Sequence, residues 1–516
     1  MSVAVAIDPA ALDRLLDPFD RTDAPGFALG VAHRGVPIYR RGVGMASVEL
    51  PVALSPSIRM RIGSTSKHFC VLAVMLLAEE RRLSLDDSPR RVIPELPTWA
   101  EAITLRQLMS HTSGMRDSLD LVMLSAGPGR PIPPRAQLEM LTSIDSVNFP
   151  PGASWNYNNG GYVLLTEIVE RITGQSLGEV LRERIFEPVG MHDTCLRLLD
   201  TDLLPNSATL HLPRPDGGWT RGVFGPPVAG EGGIVSTVDD MLRWLAHMSA
   251  PRVGSPASWE AMTTPRASHG YGLGLTVSDH RGLRTVHHAG GVVGGSSQML
   301  KVPDHEFDLI LMTNGRNALA MYDLADAVID ACFTGLPTRP QDVGGAPATG
   351  VFHSRATGRV LGLGERDGDQ VLDIAGMSLP ARRDETGAIT APILPTDLKL
   401  LPVRHEDKVV ALEAEEFGQT ERLERVKPPA DARLMERDYA CPSAGLSAFV
   451  RVDGEQPTLT LASPWGSTDY GLSAIGPDLW LGAGLSALPV GVSLEFDEVG
   501  FLLTSGRTVR LRFEPA

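Results

Sequence analysis

A serine and a lysine three residues apart, in the run Ser64-Thr65-Ser66-Lys67, stand directly ahead of a long apolar stretch. Positions three apart share a helix face, so Ser64 and Lys67 would be neighbours. Ser64 would lie at the helix N-terminus, where free N–H groups favour a developing negative charge. Burial disfavours the charged form of a lysine, so such a residue can accept the serine proton and activate the nucleophile. The plainer role for Ser64 is a helix N-cap. The SxxK spacing alone does not choose between the two.

Two further places could carry chemistry. Tyr157-Asn158-Asn159 follows Phe149-Pro150-Pro151-Gly152, which suits no regular element, and precedes a strongly periodic helix. A tyrosine on such a loop can project its phenol into a cleft and act as general base or acid near cations. His288-Ala289-Gly290 opens a glycine-rich turn at the end of a strand, and small residues there let a substrate backbone lie alongside. Gly291 could offer its N–H to an oxyanion. His287, one residue before His288, should face the other side of the strand.

The elements that must position these groups are legible. Phe27 to Gly44 reads as a hairpin turning at His33-Arg34-Gly35. His68 to Glu80 is too long an apolar run for one strand and reads as a buried helix. Helical periodicity recurs at Thr104–Ser110, Gly160–Thr173, Ser236–Met248 and Leu319–Ala331, and three strands are expected between Arg284 and Asn314. Thr334 to Thr349 is rich in Pro and Gly and reads as a linker. Beyond it the pattern changes to short alternating strands, with a second break at Lys427-Pro428-Pro429 and a closing hairpin that ends at Phe513. The expected organisation is residues 1–335 as the catalytic domain, followed by two small antiparallel β-barrel domains at 349–427 and 431–516.

Composition narrows the classes. The chain has 516 residues, 43% hydrophobic and 21% charged, which suits a globular protein of several domains. A net charge of −15 without a basic run disfavours a nucleic-acid partner. No run of eighteen apolar residues occurs, so no membrane partner is expected. The N-terminus lacks a basic region followed by an apolar core, which predicts a cytoplasmic location. Cys70, Cys195, Cys332 and Cys441 are scattered and read as reduced thiols, with no metal site. No cofactor is expected, since HExxH, P-loop and GxGxxG signatures are absent, and the lack of GxSxG argues against an α/β-hydrolase.

Taken together, SxxK, YxN about 90 residues later and HxG about 130 beyond that resemble the three signatures of serine β-lactamases and DD-peptidases. The surroundings resemble the class C-like branch: Ile103–Gly114 (ITLRQLMSHTSG), FPPGASWNYNNGGYVLLTEIVERITGQSL, Gly232–Thr237 and Tyr271–Leu275. The resemblance covers essentially residues 10 to 330. With two β-barrels behind it, the arrangement resembles bacterial D-aminopeptidases, which release N-terminal D-residues, and HxG in place of KTG is a feature of that group.

The resemblance implies an α/β (α+β) fold with an antiparallel sheet flanked by helices. It implies Ser64 as nucleophile, Lys67 and Tyr157 as proton handlers, and Asn159, His288, Gly290 and Gly291 as substrate-binding residues. The substrate would be a small peptide, amide or ester; a homodimer is admitted but not required. In D-aminopeptidases a loop of the last barrel brings an acid to the substrate ammonium. The matching segment, Gly482–Gly491 (GAGLSALPVG), holds no carboxylate, and an ammonium buried without a counter-charge is costly. Either another acid serves, or the substrate is not an N-terminal amine. The competing activities are an esterase or amidase of the same fold, and a β-lactamase or DD-peptidase. A binding protein with a relic catalytic domain is a third reading, disfavoured by the intact motifs.

Overall fold

Arg34 and Gly35 both take positive φ, 54° and 72°, which turns the strands Phe27–His33 and Val36–Val43 into the expected hairpin. The computed structural model describes residues 3–516 except 316–317, 341, 345–346, 392–395, 407, 430, 453–455 and 486–490. By internal contacts the chain forms two compact units. One comprises Met1–Pro94, Thr104–Ser110 and Tyr162–Arg339; the other comprises Glu95–Ile103, His111–Gly161 and Pro340–Ala516.

The first unit is built on a six-stranded antiparallel sheet. Its order is Thr276–His280, Leu283–Val292, Gly295–Val302, Phe307–Thr313 and then the hairpin strands Phe27–His33 and Val36–Val43. Gly295–Val302 and Phe307–Thr313 are buried at every position, as central strands covered on both faces must be. On one face the sheet packs against Leu12 and Leu16 of the helix Pro9–Leu16 and Val328, Ile329 and Cys332 of the helix Ala318–Cys332. On the other, the helix Val238–Ser249 approaches so closely that a Cβ on Gly30 would meet Val238 at 2.5 Å. The expected buried helix is Lys67–Glu79, apolar all round and buried at every position from Lys67 to Met75.

In the second unit, nine antiparallel strands between Gly350 and Val426 enclose one core that includes Phe352, Leu372, Leu400 and Leu423. Eight more strands, from Arg437–Cys441 to Leu511–Pro515, close into a barrel, with Tyr439 paired to Pro515 across the seam. The fold class is thus the expected one: a helix-flanked antiparallel sheet, then two all-β antiparallel barrels. The segment Gly482–Gly491 spans the strand ends Leu479–Gly484 and Gly491–Asp497, while 486–490 lie outside the described residues. The same unit holds the helices Ser118–Ala126 and Ala136–Ser143, and Tyr470 of the barrel donates its hydroxyl to the Leu124 carbonyl at 2.7 Å. Among the described residues no helix is long and apolar enough to cross a membrane.

Candidate functional site

Ser64 lies in a 3-10 turn, Gly63–Ser66, that runs straight into the helix Lys67–Glu79. It caps nothing: Oγ instead accepts from Lys67 Nζ at 3.3 Å. Lys67 is fully buried, yet its ammonium is directed, donating at 2.5 Å to the Glu231 carbonyl and lying 5.1 Å from the centre of the Tyr162 ring. The Gly63–Ser66 turn is bolted to the sheet. Thr65 Oγ1 donates to the His288 carbonyl at 3.1 Å and shares a 3.0 Å bond with Ser297 Oγ, which donates to the Ile62 carbonyl at 2.8 Å.

Gly290 and Gly291 meet this turn backbone to backbone. A Cβ on Gly290 would fall 1.8 Å from the Ile62 oxygen and 2.8 Å from Ser64 N, and one on Gly63 would fall 2.7 Å from Gly291 N. Only residues without a side chain fit there, so the amides of Ser64 and Gly291 lie on abutting strands of backbone. His288 is buried, with Nδ1 2.6 Å from the Ala289 carbonyl and Nε2 3.1 Å from the Tyr271 hydroxyl. A carbonyl can only accept, so Nδ1 carries the proton and Nε2 accepts from Tyr271. Burial first, and then the Lys67 cation, push the His288 pKa down to about 3. The imidazole is a neutral, oriented group. His287 points the other way, to Ser278 Oγ at 3.0 Å, as strand alternation requires.

Tyr157, Asn158 and Asn159 belong to the second unit. They lie on an irregular stretch just before the helix Gly160–Thr173. Asn158 fixes that stretch, taking its amide bond to His111 Nδ1 at 3.0 Å and donating Nδ2 to the Met115 carbonyl at 2.6 Å. Asn159 Nδ2 donates to Asp117 Oδ2 at 3.4 Å. The Tyr157 ring lies 4.3 Å from the His111 ring and beneath the Arg507 guanidinium, 5.1 Å from ring centre. Arg507 also pairs with the fully buried Asp117 at 3.1 Å. Burial opposes the charge on Arg507, but Asp117 and Asp120 outweigh it and hold the guanidinium above its ordinary pKa.

The β-lactamase family model matches residues 12–331, well over half of the chain. The chain belongs to the β-lactamase family. Its relatives include the D-aminopeptidases of Brucella anthropi, 27% identical over 94% of this chain and 92% of that one, and of Brucella melitensis, 27% identical over 92% and 90%. Two solved structures share the fold. An octameric penicillin-binding protein homologue from Pyrococcus abyssi has a TM-score of 0.57 at 20% identity, covering 90% of this chain and all of that one. A D-amino acid amidase from Ochrobactrum anthropi SV3 has a TM-score of 0.54 at 22% identity, covering 62% and 98%. This member of the β-lactamase family is an enzyme, a serine hydrolase.

Within the first unit the structure brings together Ser64, Lys67, His288, Gly290 and Gly291; within the second it links Tyr157 to Asn159 through Arg507 and Asp117. Sequence reading missed the Glu231 carbonyl, Asp117 and Arg507. The Gly232-Gly233 pair next to Glu231 was a signal for the first, and Asp117 as an N-cap two residues before Leu119 was one for the second. Arg507 left no signal in the sequence.

Proposed function

We propose that this serine hydrolase releases N-terminal D-amino acids from small peptides, amides or esters through an acyl-enzyme. The match to D-aminopeptidases over 94% of the chain, both C-terminal barrels included, carries this reading. Ser64 attacks the carbonyl while Lys67 and Tyr157 handle its proton. The N–H groups of Ser64 and Gly291 hold the oxyanion, Asn159 orients the substrate, and Gly290 admits its backbone beside the strand. His288, neutral and fixed by Tyr271, shapes the site without exchanging a proton near neutral pH. Water then releases the acyl group with Tyr157 as general base. Residues 1–335 carry the chemistry, with the barrels at 349–427 and 431–516.

A second reading, an esterase or amidase of the same fold, is favoured by one feature: Gly482–Gly491 contains no acid to meet an ammonium. The two are separated by assaying D-Ala-p-nitroanilide, its L-isomer and a short-chain p-nitrophenyl ester, with Ser64→Ala as blank. Hydrolysis of the D-anilide alone among the anilides supports the aminopeptidase. Ester turnover that depends on Ser64, with neither anilide cleaved, moves the activity to esterase. Full activity in Ser64→Ala refutes the mechanism.

A further inference from the structure

We propose that Arg507, carried on the connection between the last two strands of the closed barrel, is a positioning residue for Tyr157. Its guanidinium supplies a cation beside the phenol that favours proton transfer at that oxygen. This rests on the reading of Tyr157 as general base.

The connection runs from the strand Gly500–Thr504 to the strand Leu511–Pro515, and it is built into its surroundings. Ser505 Oγ and Thr508 Oγ1 donate to Asp120 Oδ2 at 2.6 and 2.8 Å. Asn148 grips the backbone on both sides of Thr508, donating to the Arg507 carbonyl at 2.8 Å and accepting from Val509 N at 3.0 Å. Arg116 Nη1 donates to the Val509 carbonyl at 2.8 Å. Five bonds on one short connection fix where Arg507 can put its side chain.

Arg507 reaches two groups from there. One is the Tyr157 ring at 5.1 Å. The other is Asp117, whose carboxylate is already engaged by Leu119 N at 3.1 Å, Gly160 N at 3.0 Å and Asn159 Nδ2 at 3.4 Å. Asp117 therefore orients the guanidinium and ties it to the loop that carries Tyr157 and Asn159. This is not an exposed ion pair of negligible worth, since the Asp117 side chain is fully buried. The Arg507 side chain keeps 35% of its surface exposed, leaving the cation beside the ring and not sealed beneath it. A guanidinium over a tyrosine face attracts the ring, and attracts a phenolate more strongly because the charge is then whole. Near the ring stand the Arg507 guanidinium at 5.1 Å and the rings of His111 at 4.3 Å and Trp155 at 6.1 Å.

The test is a double-mutant cycle on the full chain with an activated p-nitrophenyl ester, whose good leaving group keeps the slow variants measurable. Arg507→Gln should lower kcat on the order of 10–100-fold with KM changed by less than about threefold. In a Tyr157→Phe background the same substitution should lower kcat by less than about twofold, because the group it acts through is gone. Arg507→Lys, which keeps a cation, should recover part of the rate and carries the cycle if the glutamine variant does not fold. Equal losses in both backgrounds, or none in either, would overturn the proposal while leaving Tyr157 as the base. A fully active Tyr157→Phe would instead remove the reading on which it rests.

Discussion

Tyr271 donates its hydroxyl to His288 Nε2 at 3.1 Å, and this one bond, with the Ala289 carbonyl on the other ring nitrogen, fixes the tautomer of the histidine. Tyr271→Phe removes the donor and leaves Nε2 buried and unsatisfied, a loss of about 1–2 kcal/mol. We expect kcat/KM to fall roughly 5–30-fold at that cost, with the fold intact by circular dichroism.

The low pKa of His288, about 3, has a kinetic consequence. Between pH 5 and 8 the imidazole stays neutral, so it contributes no limb to the pH dependence of kcat/KM. His288→Asn should change the height of that profile and not its apparent pKa values. A limb near pH 6.5 that vanishes in the variant would contradict this.

The glycine pair beside the Ser64 turn should separate sharply. A Cβ on Gly290 collides with the Ile62 oxygen at 1.8 Å, whereas one on Gly291 meets nothing within 4 Å. Gly290→Ala should therefore lose nearly all turnover and melt earlier. Gly291→Ala keeps its N–H and should retain activity within about threefold, as backbone donors do not depend on the side chain. Parallel esterase assays and thermal melts decide it.

Acid stability follows from two buried imidazoles. Neither ring nitrogen of His68 has a partner, and burial holds its pKa well below the ordinary value. Burial likewise pushes His247 down to about 4, where Nε2 accepts from Arg252 N and Val253 N at 3.0 and 3.1 Å. Both are neutral when folded, while the unfolded chain takes up their protons near pH 6.5. Stability is thus level above that pH and falls as pH drops from about 6.5 toward the folded values, by up to roughly 1.4 kcal/mol per unit per group. His68→Phe keeps the aromatic contact with Trp244 and should raise Tm more at pH 5 than at pH 8.

Lys301 and Asp308 form a buried pair at 2.7 Å across adjacent strands, with the lysine also donating to the Leu245 carbonyl. Lys301→Met strands a buried carboxylate and should cost about 3–5 kcal/mol in urea unfolding. Lys301→Met with Asp308→Leu should recover most of that loss.

Local pattern carried much of the molecule. Ser64 and Lys67 were legible because their proximity needs only a helical turn, and the Phe27–Val43 hairpin because Arg34-Gly35 sets its own turn. Strand alternation separated His287 from His288 for the same reason. The two barrels were legible as a change to short alternating strands after the linker.

The sequence by itself determined the pairing of Ser64 with Lys67, the glycines of the strand that abuts them and the succession of a mixed domain and two β segments. Each depends on residues a few positions apart, where backbone geometry dictates the contact. Tertiary structure alone decided the contacts between distant segments within each unit. Glu231 comes to Lys67 from 164 positions away through the carbonyl that any residue carries, so no side-chain pattern could announce it. Arg507 lies 390 positions from Asp117 and meets it only because the barrel closes and its last connection is held by Asp120, Asn148 and Arg116. A contact between segments so far apart is set by how whole sheets close, and local periodicity holds no record of that.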